Sequence, residues 1–221
     1  MTRSKRYIEK TMDILLSWWR FNKRDFAWRH NTIPYRVVVA ELLLQQTFAD
    51  KVEKVYRLFV SKYPSFKSLS SANEDEVKSL ILPLGLHYRA ALLVSLAKIV
   101  RLKYRGRLPN SYEDLLKIKG IGDYTALCVM CHAHGKPVLP IDTNIVRIIH
   151  RLYGNNHREH THIEKTLISR VANMIIDNRL NCENVHYALL DFGALVCRSV
   201  RPACGVCVLS KRCNYFRLRS S

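Results

Sequence analysis

The sequence predicts an all-α protein. Three observations carry that reading. Apolar residues recur at helical spacing through most of the 221 residues, no stretch shows the period-two alternation of a convincing strand, and a K-G-I-G turn at residues 119–122 sits between two amphipathic segments. Apolar residues make up 48%, and the 7 prolines and 8 glycines are scattered, so the chain can bury a sizeable core and does not read as disordered.

Along the chain, Tyr7, Ile8, Met12, Ile14, Leu15, Trp18, Trp19 and Phe21 mark a first helix. RDFAWRH (Arg24–His30) breaks the period, as a loop that docks Phe26 and Trp28 into the core and leaves its arginines to face phosphate. Pro34 opens an apolar helix over Tyr35–Gln46, with Glu41 inside VVVAELLL. A carboxylate on a buried face is costly unless paired or functional, so an exposed stripe and a functional pocket both stay open for Glu41. Gln45, Gln46 and Thr47 are neutral hydrogen-bonding groups that suit either base edges or a helix cap. Helices are expected over 51–64 and 74–82, the second announced by Ser70, Ser71 and Asn73. A turn at Pro83 and Gly85 leads into an amphipathic helix ending near Val100, and Ser111 caps YEDLLKI.

Helix, K-G-I-G, helix is a helix-hairpin-helix. Gly120 and Gly122 permit a tight turn with close backbone approach, and amides at the start of the following helix form a phosphate site beside Lys119. Cys128 and Cys131 lie in a helical pattern with no second pair nearby, and read as small core residues. His157, His160 and His162 have no accompanying carboxylate or thiol spacing and read as a solvated loop. Asp142 precedes TNIVRIIHRLYG as a helix-start residue; from position alone it is an N-cap. Helices follow around 161–177 and 183–195.

The last of these feeds a C-x6-C-x2-C-x5-C run of Cys197, Cys204, Cys207 and Cys213. Four thiols in one short loop suit a [4Fe-4S] cluster. Zinc competes, although its usual pattern has two close pairs and only Cys204 and Cys207 are that close. Seven cysteines, an odd number with four clustered, argue for a reducing intracellular compartment, and against a disulfide framework. The amino-terminal segment lacks the apolar region and small-residue cleavage site of a secretory leader. The longest apolar run, Val37–Leu44, is interrupted by Glu41, so no membrane partner is expected. Lysine and arginine total 36 against 18 acidic residues, a net +18, which makes nucleic acid the leading partner class. Beyond Cys197 there are six basic residues and no acidic ones, so the cysteine loop is also expected to face a polyanion.

RDFAWR, AELLLQQT, LGLHYRA, GIGDYTA, IDTNIVR, LLDFGALVC and the cysteine run together resemble the endonuclease III superfamily of DNA glycosylases over nearly the whole chain. They are most similar to its mismatch-specific branch, the archaeal-type T·G mismatch thymine-DNA glycosylases. The resemblance implies two helical domains flanking a DNA-binding cleft: a six-helix domain at 24–134 with the hairpin, and a [4Fe-4S] cluster domain from 1–23 and 135–221. It implies a monomer, cytoplasmic and nucleoid-associated, that binds double-stranded DNA carrying a mismatched base. A base inside a duplex must be extruded before it is reached. Gln45 and Leu86 match the residues that enter the helix, flanked by Gln46, Thr47, His87 and Arg89. Asp142 matches the catalytic aspartate, which stabilises positive charge on the sugar as the C1′–N bond breaks.

Bifunctional members carry a lysine where this chain has Tyr124, and tyrosine cannot form the Schiff base that leads to strand cleavage. The resemblance therefore implies base release without efficient lyase action. Glu41 resembles a carboxylate that adenine-specific enzymes use as a general acid, which keeps adenine DNA glycosylase as the alternative. Against it, those enzymes usually carry a long C-terminal domain, and IDTNIV departs from their glycine-containing version. A non-catalytic iron-sulfur DNA-binding module is the alternative from another class.

Overall fold

Two separate hydrophobic cores divide the chain. The computed structural model describes residues 3–85, 87–154, 169, 172–173 and 180–220. One unit is Asp25–Lys136, and the other joins Met1–Arg24 to Pro137–Ser221. Among the described residues every regular element is helical. None of the described helices is long and apolar enough to cross a membrane.

The Asp25–Lys136 unit is built around α2 (Pro34–Leu44), whose Pro34 opens the first turn, where its missing N–H costs nothing. Tyr35, Val37, Val38, Val39, Ala40, Leu42 and Leu43 are all buried, so the helix is apolar nearly all round, as a central helix must be. Each of the valines and leucines contributes roughly 1.5–3 kcal/mol when fully buried. Around it lie α3 (Ala49–Lys62), α4 (Phe66–Ser70), α5 (Glu74–Ile81), α6 (Tyr88–Lys103), α7 (Tyr112–Leu116) and α8 (Asp123–Cys128). The RDFAWR segment does dock its aromatics. Phe26 and Trp28 stack at 4.5 Å, Trp28 meets Tyr56 edge-on at 5.6 Å, and the Ala27 amide donates to Glu53 at 3.0 Å.

The periodicity does not announce α4. Ser65 and Ser68 form a reciprocal capping box at its start, and Ser70 and Ser71 close it rather than opening the next helix. Asn73 alone caps α5, accepting from the Asp75 and Glu76 amides. Cys128 and Cys131 are buried, as core residues should be. Past α8 the chain continues as a π-helical turn over Val129–Ala133, with the His134 amide reaching back to the Val129 carbonyl. Insertions of this kind recur at functional sites.

The second unit packs α1 (Arg3–Asn22), α9 (Thr143–Tyr153), α10 (Cys182–Leu195) and α11 (Asn214–Ser220) around Met12, Leu15, Ile145, Ile148, Leu189 and Phe192. One fully buried carboxylate pins α1 to α10. Asp191 accepts from Trp19 Nε1 at 2.8 Å, from Arg24 Nε at 2.7 Å and from the Arg24 amide at 3.1 Å. Such a charge is tolerable inside because its lone pairs are met. His157, His160 and His162, and most of the helix expected over 161–177, lie outside the described residues.

Candidate active site and metal centre

Asp142 is the N-cap of α9. Its backbone is extended (φ −102, ψ 177), and its Oδ1 accepts the Ile145 amide at 2.8 Å. The Asn144 side-chain amide donates to the other oxygen at 2.5 Å. The carboxylate is half-buried, fixed in orientation, and sits where the helix dipole favours negative charge. The N-cap is thus also a fixed carboxylate.

The other end of α9 grips the cysteine loop. Arg147 Nε donates to the Cys197 carbonyl at 3.1 Å and its Nη2 to that of Gly193 at 3.1 Å. Arg151 donates to the carbonyls of Arg198 at 2.6 Å and Ser199 at 3.0 Å, and to Cys197 Sγ at 3.5 Å. Cys197, Cys204, Cys207 and Cys213 line one small cavity, with Leu152, Phe192 and Phe216 among its apolar walls. None of the four is in a disulfide. Burial pushes the Cys207 thiol up to about 11 and raises that of Cys213 as well, so without a cation these are inert thiols. Four sulfurs lining one apolar hollow are a donor set suited to a thiolate-bound metal centre. Of the six basic residues beyond Cys197, Arg198, Arg201, Lys211, Arg217 and Arg219 are exposed. Arg212 instead turns inward, donating to Thr11 Oγ1 and the Tyr7 carbonyl, each at 3.1 Å, with its guanidinium 4.1 Å over the Tyr7 ring.

In the Asp25–Lys136 unit, Gly120 has φ +100, a conformation that disfavours any side chain, and a Cβ there would sit 2.7 Å from Leu92 Cδ1. Gly122 is different. It N-caps α8 at φ −94, and a Cβ would meet nothing within 4 Å. The fold does not need glycine at 122, and the bare backbone there leaves room outside the protein. Ile118 and Ile121 anchor the turn from inside, while Lys119 is exposed.

Gln45 and Gln46 are exposed at the end of α2, with Gln46 in the left-handed region at φ 54. Thr47 closes the turn, its amide donating to the Leu44 carbonyl at 3.1 Å and its hydroxyl to the Gln45 carbonyl at 3.2 Å. Glu41 and Tyr124 are each half-buried. His87 is exposed just before α6, and Leu86 lies outside the described residues. Arg89 departs from expectation. It is 1% exposed, and its two terminal nitrogens are spent on the protein: on the Leu43 carbonyl at 3.0 Å, on Thr47 Oγ1 at 3.4 Å, and on the Gln45 carbonyl. A buried side chain so engaged has no face to offer a phosphate.

Residues 39–173 match the family described as HhH-GPD superfamily base excision DNA repair protein. The chain belongs to that superfamily. Within it, the chain is 34% identical to a thymine/uracil-DNA glycosylase of Methanothermobacter thermautotrophicus, covering 91% of both chains. A thymine-DNA glycosylase of Aeropyrum pernix is 35% identical over 95% of both. An adenine DNA glycosylase of Buchnera aphidicola is 31% identical over 91% of this chain and 57% of its own length. Among solved structures, a thermostable thymine-DNA glycosylase superposes with TM-score 0.89 at 32% identity, covering 98% of this chain and all of that one. An endonuclease III–DNA covalent intermediate, at 22% identity and TM-score 0.80, shares the fold.

For an HhH-GPD chain, sequence reasoning overlooked the residues that support the site. Asn144 is the asparagine of IDTNIVR and reads as a helix-start residue; only its 2.5 Å contact shows it holding the carboxylate. Arg147 and Arg151, four apart on one helix face, were legible as a pair, but their acceptors lie beyond residue 190.

Proposed function

We propose that this chain is a monofunctional DNA glycosylase that hydrolyses the N-glycosidic bond of thymine or uracil mispaired with guanine in double-stranded DNA. The observation that carries it is the identity of 34–35% with thymine/uracil- and thymine-DNA glycosylases across 91–95% of both chains. The hairpin amides at Gly120 and Gly122, with Lys119, take a backbone phosphate. Gln45 enters the duplex where the target nucleotide leaves, with Leu86, Gln46, Thr47 and His87 alongside. Asp142, held in place by the Ile145 amide and the Asn144 side chain, stabilises the cationic sugar as the base departs. Glu41, a half-buried carboxylate on an apolar helix, orients the attacking water or protonates the leaving base. Tyr124 occupies the position that would need an amine for imine formation, so base release ends the reaction.

Cys197, Cys204, Cys207 and Cys213 hold a [4Fe-4S] cluster. The cluster supplies structural cross-linking of the loop and no step of the hydrolysis. Arg198, Arg201 and Lys211 on that loop add salt-sensitive phosphate contacts. The 31% identical adenine glycosylase, together with Glu41, keeps adenine opposite guanine or 8-oxoguanine as the second reading.

Single-turnover incubation with duplexes bearing one labelled T·G, U·G, A·G or A·8-oxoG pair, with and without alkali, decides between them. Nicking at T·G and U·G only after alkali is expected. Cleavage chiefly at the adenine pairs transfers the chain to the second reading. Binding without release of any base overturns both.

A further inference from the structure

Among the described residues, Arg89 is one of the largest side chains that are fully buried. Arginine almost never disappears into a protein interior without a specific set of acceptors. Here the acceptors share one location. Leu43 O, Gln45 O and Thr47 Oγ1 all belong to the last turn of α2 and the turn that follows it. The two carbonyls, of Leu43 and Gln45, are at or beyond the point where α2 stops supplying amide donors. The guanidinium thus does for this helix end what a C-cap motif does elsewhere, with a charged fork in place of a backbone amide.

The geometry also explains the backbone. With the Gln45 carbonyl drawn inward on Arg89, the chain reverses through Gln46 at φ 54, a conformation that is uncommon for a non-glycine residue. The turn is consequently inside out at Gln45: its carbonyl faces the buried guanidinium, and the side chains of Gln45 and Gln46 face solvent.

We infer that Arg89 is a positioning residue, a buried strut that holds the Gln45–Thr47 turn in the one conformation that presents Gln45 to the duplex. The inference rests on the glycosylase reading for the role of Gln45, but not for the hold on the turn.

Two measurements on the full-length, metal-loaded protein test it. The first is peptide-resolved hydrogen exchange of Arg89→Met against wild type. Faster exchange confined to peptides covering residues 43–50, where the Gln45 and Thr47 amides bond to Glu41 and Leu44, is expected. Exchange unchanged there, or raised equally throughout both units, overturns the strut. The second is a cycle of Gln45→Ala, Arg89→Met and the double variant, read as single-turnover excision at T·G. Misplacing the turn should cost about ten- to a hundredfold in rate, and Arg89→Met should cost almost nothing further once Gln45 is already alanine. Arg89→Lys, which offers a point charge without the fork, should recover part of the loss. Equal losses in both backgrounds would make Arg89 an ordinary fold residue. Should wild type excise no base, the glycosylase reading fails, and the exchange result alone decides whether Arg89 holds the turn.

Discussion

Replacing Asp142 with asparagine separates its cap from the role proposed for its charge. The carboxylate caps α9 through the Ile145 amide at 2.8 Å and is steadied by Asn144 at 2.5 Å. Asparagine is as good an N-cap as aspartate, so Asp142→Asn keeps an acceptor for Ile145 and discards only the charge. A unit charge about 4 Å from a developing sugar cation is worth about 4 kcal/mol at an effective dielectric near 20. At 1.36 kcal/mol per decade, that is a loss of about a thousandfold in single-turnover base release. The melting temperature of Asp142→Asn should stay within about 2 °C of wild type, whereas Asp142→Ala, lacking a cap worth about 1 kcal/mol, should melt about 2–4 °C lower. The assay is excision from a labelled T·G duplex, paired with a circular-dichroism melt of each variant. An asparagine variant that retains more than a tenth of the wild-type rate would refute the electrostatic reasoning and return Asp142 to a plain cap.

Other outcomes follow from the same geometry. Gly122→Ala should fold as wild type, because nothing lies within 4 Å of the added carbon, yet bind duplex DNA several-fold more weakly in a fluorescence titration. Gly120→Ala should also destabilise the protein, by about 1 kcal/mol or more, since its φ of +100 is unsuited to alanine. Asp191→Ala removes a fully buried acceptor shared by Arg24 and Trp19; about 1–3 kcal/mol of lost stability should appear as an earlier denaturant midpoint, and a near-unchanged midpoint would refute the pinning role. In reduced, metal-stripped protein, the Cys207 proton is held to about 11 when folded, against 9.0 ordinarily. Its contribution is complete below pH 9 and is lost as pH climbs toward 11. The stripped protein should therefore lose more thermal stability across that window than stripped Cys207→Ala does.

Much of the architecture was readable because its local causes are short-range. The hairpin is legible in K-G-I-G since a left-handed backbone at Gly120 is a property of that residue alone. Phe26 and Trp28 are legible as core because two large rings in a period-breaking segment have nowhere else to go. The cysteine run announces itself through spacing, and the four sulfurs do line one cavity. Arg89 was not legible. In a chain of net charge +18 an arginine beside a DNA-facing turn reads as a phosphate contact, and nothing local reveals that carbonyls more than 40 residues earlier claim it. Asp191 was hidden for the same reason, its partners lying at Trp19 and Arg24. Helix α4 escaped because five residues are too few to show a period, and its serines serve equally well as an end or a beginning.

Helix α9 has a consequence for how sequence variation in this chain should be read. At about 1.5 Å per residue, the 11 residues of Thr143–Tyr153 make one stiff rod of about 16 Å. One tip holds Asp142; toward the other, Arg147 and Arg151 clasp the backbone at Gly193 and Cys197–Ser199. A change at Arg198 or Ser199 that shifts that backbone therefore moves the carboxylate's own mounting. Substitutions scored as peripheral on grounds of distance belong, mechanically, to the same lever as Asp142.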